Sequence, residues 1–418
     1  MKKTAVWVFA LWIVLQSVMV ALCWGAPQYS DSAAYVRCAY ACFEQGTWYP
    51  TPAQIAGESY VFNPGYINYL IVALHIFGSL NPLPIVNVLL NAAVAYFVFR
   101  IASALFDRRT GYVSVVLYCA LISNLLSPVV ILSDLLYLFL LTAALVLVRD
   151  RWWWLLAAGA LLGLSNYVRP VSLIFLVAVV LYMLARRFGV WSYVSLACGM
   201  AVMTGGIMMF NRTVNGTYMY AASTGGCNLI MGANDDADGS YTSAPFEEGG
   251  IGYIAPGSQM DTAQKDAYWK KQAVGWIKEH PGRYISLMPV KLVRLWLGDD
   301  YFRNVFYPDL GKGKGAAGRM AEIVLLSLTY YMVLLLALAG LVRLGWRGLL
   351  SVKGLPLLPV LACCAMHMLM YGGMRYHYPF MPCVVMYAAY AAGLLLERRR
   401  QRTDRPAAVL PLKNDSDV

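Results

Sequence analysis

Residues 5–26, AVWVFALWIVLQSVMVALCWGA, form an uncharged and largely apolar stretch behind the basic start Met1-Lys2-Lys3. A basic start, an apolar stretch and small residues near Gly25 and Ala26 are also typical of a signal peptide. However, an apolar stretch of roughly 20 residues is long enough to cross a bilayer. We therefore expect an uncleaved first membrane helix whose N-terminus is cytoplasmic.

The composition extends this expectation to the whole chain. Of the 418 residues, 60% are hydrophobic and only 13% are charged. A soluble domain usually carries about twice that charge, so the composition indicates a polytopic membrane protein. Basic residues exceed acidic ones by 33 to 22, for a formal net charge of +11. In a membrane protein such an excess is typical of cytoplasmic loops, and it gives no support for a nucleic-acid partner.

The predicted topology depends on whether the segment 65–77 crosses the membrane, and the basic clusters distinguish the two cases. If this segment lies along the external surface, the clusters at 106–109, 149–151, 186–187, 343–353 and 398–400 all face the cytoplasm. If it crosses the membrane, all of them are external. The positive-inside rule favours the first choice, as does the length of the segment, which is below the roughly 20 residues of a span. We therefore predict a juxtamembrane helix at 65–77.

This topology predicts an all-α polytopic membrane protein of about ten transmembrane helices, with juxtamembrane helices and a small mixed α/β external domain. After the first, the predicted spans are 85–106, 112–127, 128–148, 152–166, 170–185, 190–210, 321–342, 355–370 and 378–396. Residues 1–210 form an N-terminal transmembrane module with an external loop at 27–84. Residues 211–319 form the external (periplasmic) domain, 320–397 the C-terminal transmembrane helices, and 398–418 a basic cytoplasmic tail whose last dozen residues are expected to be disordered.

The external domain has its own predicted elements. We expect a helix at about 261–279, followed by a helix at 282–297 that lies on the membrane face, because Arg283, Lys291 and Arg294 alternate there with apolar residues. Asp299-Asp300 is interpreted as a solvated helix end, and the segment 311–315 as a flexible linker.

The nine cysteines and four histidines lack metal-binding spacing, so no cofactor is predicted and a divalent metal has no support. We expect Cys38 and Cys42, four residues apart on a helix, to be free thiols.

Four charged residues lie at the external mouths of apolar segments: Asp31, Asp134, Arg169 and Arg375. The topology was obtained without them. Two arginines could hold a phosphate and stabilise charge developing on it, and a carboxylate could take a proton from a hydroxyl. Two simpler interpretations remain: Asp31 is only a solvated helix end, and Asp134 and Arg169 only pair with each other or cap helices.

Five motifs follow one another along the chain: Asp31-Ser32-Ala33-Ala34-Tyr35, Asn63-Pro64-Gly65-Tyr66, Ser133-Asp134-Leu135-Leu136-Tyr137, Gly163-Leu164-Ser165-Asn166-Tyr167-Val168-Arg169-Pro170 and Arg375-Tyr376-His377-Tyr378-Pro379-Phe380-Met381-Pro382. In their order the chain resembles the class C glycosyltransferases of the protein mannosyltransferase and lipid A aminoarabinose transferase superfamily, which are glycosyltransferase family 39-like.

The resemblance implies an inverting transfer of a hexose or pentose from a polyprenyl-phosphate-linked sugar donor to a lipid, glycan or protein acceptor on the external face. It implies Asp31 as general base and Arg375, with Arg169, as contacts to the donor phosphate. Asp134, Tyr35, Asn63, Tyr66, Tyr376 and His377 would line the same cavity. Membrane lipids are expected partners, and a bacterial inner membrane is the expected location.

Two departures from the superfamily pattern leave the acceptor open. Many relatives carry a second acid directly after the catalytic Asp, where this chain has Ser32, and this weakens any case for a metal. Many also carry a basic residue before paired prolines, where this chain has Asn63 and a single Pro64.

The alternative function is a transporter or flippase of lipid-linked sugars. The lack of internal repeats and the position of the polar residues on one face are evidence against it. A membrane scaffold that binds a partner through its external domain is a third.

Overall fold

The computed structural model describes residues 1–222, 224–306 and 315–403. Within these ranges the chain forms α-helices and short 3₁₀ turns, with no β-strand. The helices are α1 (Lys2–Leu22), α2 (Ser30–Glu44), α3 (Pro52–Gly57), α4 (Pro64–Phe77), α5 (Leu83–Leu105), α6 (Arg108–Ala120), α7 (Ile122–Leu126), α8 (Ser133–Leu147), α9 (Trp152–Val168), α10 (Leu173–Ala185), α11 (Val190–Asn215), α12 (Gly225–Met231), α13 (Thr262–Glu279), α14 (Pro281–Trp296), α15 (Tyr301–Phe306), α16 (Ala316–Leu326), α17 (Leu328–Leu349), α18 (Leu357–Leu369) and α19 (Met381–Thr403).

A helix lies at each predicted span, but the helices differ in length. Six segments in the described part of the chain are long and apolar enough to cross a membrane: α1, α5, α11, α17, and the regions of α18 and α19. A seventh counts if α6 and the segment Ile122–Val129, bent by 71°, form one broken span. The chain is thus an integral membrane protein. The expected ten spans are not confirmed, because α8, α9 and α10 have only 15, 17 and 13 residues.

The predicted helix at 65–77 is present as α4, and it has only 14 residues. It begins after Asn63, with Pro64 in the first turn, where a missing backbone N–H costs nothing. It ends at Gly78, whose φ of 70° is a left-handed conformation that favours glycine. Most of its side chains are buried, and it packs against α2 and α9. This position brings Asn63 to the N-termini of α2 and α8.

The helices α9 and α11 touch through their backbones. A Cβ atom at Gly159 would lie 2.1 Å from the carbonyl oxygen of Leu196, and one at Gly199 would lie 2.0 Å from that of Leu156. Small residues are the usual means of close helix contact in membranes, where apolar side chains gain little by leaving lipid. The two glycines therefore fix α9, whose C-terminal end leads to Arg169.

The described part of the segment predicted to be external, residues 211–222, 224–306 and 315–319, contains helices and turns but no strand. The expected mixed α/β character is therefore not found there. Helix α13 confirms the helix predicted at 261–279, and it starts with a reciprocal cap between Asp261 and Gln264. Its aromatic residues Trp269 and Trp276 pack with α12 into a separate apolar core. Residues 311–314 of the proposed linker and the end of the chain beyond 403 lie outside the described residues.

The amphipathic helix predicted at 282–297 is present as α14, but two expectations around it are wrong. Lys291 is fully buried, with its ammonium 4.3 Å from the centre of the Tyr284 ring, so it does not face the membrane. Asp299 and Asp300 are also buried, with exposed fractions of 2% and 1%, and do not form a solvated helix end. Tertiary packing against α7 and α18 covers residues that the local pattern placed on a surface.

Candidate active site

Asp134 is the centre of the charged cluster. It lies in the first turn of α8 and is completely buried. One carboxylate oxygen accepts a hydrogen bond from Arg169, and the other accepts two from Arg375, at 2.9 Å from Nε and 2.7 Å from Nη2. A buried carboxylate is stable only with such partners, and a helix N-terminus also favours negative charge. The Asp134 carboxylate thus fixes two guanidinium groups that come from distant parts of the chain.

Asp31 occupies the same helical position in α2 but a different environment. It lies in the first turn of that helix, and its side chain is 45% exposed. Its carboxylate accepts a hydrogen bond of 2.5 Å from Nη1 of Arg375. Among the described residues no other side-chain partner holds it. Asp31 is therefore the acid of this cluster that an incoming molecule can reach.

Arg375 joins the two acids through the three nitrogens of one planar group. Its guanidinium also lies over the ring of Tyr301, 5.5 Å from the ring centre, and Nη1 is 3.4 Å from the Tyr301 hydroxyl. Burial raises the pKa of Tyr301 to about 12, while the Arg375 cation lowers it, so this hydroxyl stays protonated at neutral pH. Tyr301 belongs to none of the sequence motifs. Its only signal in the sequence is its position directly after Asp299-Asp300.

A second layer supports the acids without contacting the arginines. The Asn63 amide donates to the Tyr35 hydroxyl at 3.3 Å and to the Ser133 hydroxyl at 3.4 Å, which links the starts of α4, α2 and α8. The ring of Tyr66 meets the Tyr35 ring edge-on, with centroids 5.3 Å apart. Tyr35, Asn63 and Tyr66 thus lie behind the starts of α2 and α8, and their role as cavity-lining residues stays a prediction.

Tyr376 and His377 make their polar contacts with residues other than Asp31 and Asp134. The Tyr376 hydroxyl is 2.5 Å from that of Tyr371. His377 is buried between the rings of Trp296 and Tyr330, and its Nδ1 donates to the carbonyl of Leu295 at 2.8 Å. Its Nε2 lies 3.7 Å from a carboxylate oxygen of Asp299. The expectation that His377 lines the cavity with Asp31 is not met by these contacts, because the side chain anchors the turn of Arg375 to the end of α14.

Ser32, where many relatives of the superfamily carry a second acid, is buried and points away from Arg375. Its hydroxyl donates to the Gln28 amide oxygen at 2.5 Å, and that oxygen also accepts from the backbone N–H of Ile131 at 3.1 Å. In the described residues no group of three His, Cys, Asp or Glu side chains is arranged to hold a metal ion. Cys38 and Cys42 are free thiols, as predicted.

Part of the chain matches a known protein family. Residues 63–211 match the family described as dolichyl-phosphate-mannose-protein mannosyltransferase. The resemblance to this superfamily is confirmed. The matched range contains Asn63, Asp134 and Arg169, and it ends where the segment predicted to be external begins. No curated protein matches the chain.

Solved structures extend the similarity to the fold. An apo crystal structure of the oligosaccharyltransferase from Archaeoglobus fulgidus covers 96% of this chain with a TM-score of 0.54 at 13% identity. Another, the archaeal oligosaccharyltransferase AglB from that organism in complex with an inhibitory peptide and a dolichol-phosphate, covers 98% with a TM-score of 0.47 at 12% identity. The chain spans about half the length of these structures, 51% and 53%. The first of them shows that this chain shares the fold of that oligosaccharyltransferase.

Proposed function

We propose that this protein transfers a monosaccharide from a polyprenyl-phosphate donor to an acceptor hydroxyl on the external side of the membrane, with inversion at the anomeric carbon. The observation that carries the proposal is the difference between the two acids. Asp134 is buried and bound by both arginines, whereas Asp31 is 45% exposed and, within the described residues, is bound by the side chain of Arg375 only. The family described by its use of dolichyl-phosphate-mannose supports a lipid-phosphate donor.

In the proposed reaction Asp31 takes the proton from the acceptor hydroxyl. The acceptor oxygen forms a bond to C1 of the sugar from the face opposite the phosphate, and the bond from C1 to the phosphate oxygen breaks with its electron pair on that oxygen. The donor phosphodiester carries one negative charge and the departing polyprenyl phosphate carries two. Arg375 and Arg169 would therefore bind the phosphate more strongly as the bond breaks, which is the condition for lowering the barrier.

The contacts of Arg375 suggest how donor binding prepares the base. Nε and Nη2 are held by Asp134, and Nη1 is held by Asp31. A phosphate oxygen that takes Nη1 would replace Asp31 there and leave its carboxylate ready for a hydroxyl. Asp134 would keep the rest of the guanidinium in place during this exchange. In this proposal Asp134 is a positioning residue and Asp31 is the general base.

The test is Asp31→Asn in the purified full-length chain, supplied with a polyprenyl-phosphate sugar and a panel of lipid, glycan and peptide acceptors. A general base contributes about 10²- to 10⁴-fold to the rate, so transfer should fall by that factor while donor binding is retained. The matched control is Glu44→Gln, which neutralises an exposed acid at the other end of α2. Unchanged transfer by Asp31→Asn would exclude Asp31 as the base.

A further inference from the structure

A half-open cavity lies near the opposite end of α8 from Asp134. It has a volume of ≈ 220 Å³ and lies between α5, α8, α10, α19 and the start of α18. Its walls are mainly apolar and include Phe175, Val179, Pro359 and Met386. Ligand pockets are lined mainly by apolar side chains with a small number of polar groups. The walls of this cavity therefore favour a hydrocarbon chain.

Two arginines line this cavity. Arg100 lies near the C-terminal end of α5, and Arg149 is two residues beyond the end of α8. Arg100 donates to the Tyr96 hydroxyl at 3.0 Å, and Arg149 donates to the carbonyl of Val146 at 3.3 Å. In the described part of the chain neither forms an ion pair. Each guanidinium has five N–H donors, so both keep donors for an anionic ligand.

We propose that this cavity binds an anionic phospholipid, with its phosphate between Arg100 and Arg149 and one acyl chain among the apolar walls. Charge decides between this occupant and the hydrocarbon tail of the sugar donor, because an uncharged tail gains nothing from two guanidinium groups. Arginine pairs bind phosphate oxygens through several parallel hydrogen bonds. The two residues also belong to the basic end of the helices, where anionic lipid headgroups are attracted.

The proposed lipid site is separate from the candidate active site. Asp134 stands at the first turn of α8 and Arg149 stands after its last residue. Because α8 has 15 residues, the two positions are separated by about 20 Å along the helix axis. The phospholipid would fill the space between α8 and the pair α10 and α18. It would thereby support, from the other end, the helices that carry Asp134 and lead to Arg375.

The experiment uses the full-length chain purified with equal amounts of phosphatidylglycerol and phosphatidylcholine of matched acyl chains, with retained lipids counted by native mass spectrometry. The wild type should retain phosphatidylglycerol in preference. The double variant Arg100→Gln and Arg149→Gln should reduce this preference about tenfold. The matched control, Arg108→Gln with Arg151→Gln, removes two basic residues at the same end that do not line the cavity, and it should retain the preference.

A second variant tests the apolar half of the site and keeps both arginines. Ala178→Trp places a large side chain in the cavity wall and should displace the phosphatidylglycerol. Unchanged retention in this variant, or in the double arginine variant, would overturn the proposal. So would an equal loss in the control pair, or a loss of polyprenyl phosphate binding without any change in retained phosphatidylglycerol.

Discussion

The first turns of α2 and α8 place the same residue type at the same helical position, with opposite surroundings. Asp31 on α2 is 45% exposed and shares one nitrogen of Arg375. Asp134 on α8 is fully buried and accepts from both Arg375 and Arg169. Both carboxylates gain from a helix N-terminus, so the helix dipole does not distinguish them. What differs is the number of partners and the access of solvent, and these determine which acid can react and which one holds the arginines.

The difference has a structural origin in the segments that precede each helix. α2 follows an exposed turn at residues 24–29, whereas α8 follows the buried run Ser127–Leu132. Asn63 donates to Tyr35 on α2 and to Ser133 on α8, and so keeps the two starts at a fixed separation. The two aspartates thus differ in burial because the segments that precede their helices pack differently.

The largest effect that separates the two acids is on stability. Asp134→Asn removes the carboxylate shared by two buried guanidinium groups, of which Arg375 keeps Asp31. Removing one partner of a buried ion pair costs roughly 3–5 kcal/mol. We expect a large fall in the unfolding temperature in detergent together with loss of donor binding. Asp31→Asn should unfold near the wild-type temperature. Equal unfolding temperatures for the two variants would contradict the assignment of Asp134 as the structural acid.

A smaller effect, on donor affinity, should show whether the shape of the Arg375 guanidinium matters in addition to its charge. Arg375→Lys keeps the positive charge but cannot contact Asp134 through two nitrogens and Asp31 through a third. Loss of one charged hydrogen bond to the donor phosphate should weaken donor affinity about 10- to 100-fold. Isothermal titration with a polyprenyl phosphate measures this change. Arg347→Lys, an exposed position on α17, is the control, and the hypothesis fails if both variants bind the donor equally well.

A third prediction concerns Lys291, which is buried like Asp134 but has no hydrogen-bond partner for its ammonium in the described structure. Burial lowers the pKa of Lys291 from 10.5 to about 8. Between pH 8 and 10.5 the unfolded chain therefore binds more protons than the folded chain, so this residue makes the free energy of unfolding rise with pH. Below pH 8 the cost of the buried charge is present in full.

Lys291→Met removes this charge at nearly the same side-chain length. The variant should unfold at a higher temperature than the wild type at pH 7, and the gap should narrow as pH rises toward 10. Unfolding temperatures of the two proteins at matched pH values measure the difference directly. A gap that is constant across this range would show that the ammonium of Lys291 is already satisfied or already neutral.

The smallest expected effect is at Ser32, beside the reactive acid. Ser32→Ala removes the hydrogen bond to Gln28 and should cost about 1 kcal/mol of unfolding free energy. Sugar transfer should be nearly unchanged, since the hydroxyl points away from Arg375. A loss of transfer comparable to that of Asp31→Asn would mean that Ser32 shares the catalytic role, and the contrast between α2 and α8 would then involve two residues on α2.

The sequence was most informative for features that depend on consecutive residues, such as the length of an apolar stretch or a cluster of basic residues. Apolar length and basic clusters located the helices and placed Asp31, Asp134, Arg169 and Arg375 on one side of the membrane, and the structure brings these four into contact. Charged residues at the ends of apolar helices are costly unless they meet one another, so their common side was already a strong restriction. The superfamily motifs then pointed to the same residues independently.

The sequence was least informative for residues whose burial and contacts depend on packing between distant segments. Lys291 and Asp299 have the local pattern of surface residues, yet neighbouring elements cover both. His377 stands two residues from Arg375 but binds Leu295 and faces Asp299. Tyr301 contacts Arg375 without belonging to any motif. These contacts of His377 and Tyr301 are with residues more than 70 positions away in the chain. The burial of Lys291 and Asp299 depends on the orientation of neighbouring helices, which composition does not predict.

The bonds of Asp134 also constrain the order of biosynthesis. Arg169 is 35 residues downstream and Arg375 is 241 residues downstream. Nearby partners meet early because short loops close at little entropic cost, and contacts at long separation form later. During synthesis Arg169 is therefore the first cation to compensate the Asp134 carboxylate. Arg375 reaches the cluster only after α18 has entered the bilayer, so a nascent chain acquires its complete charged site as one of its last folding events.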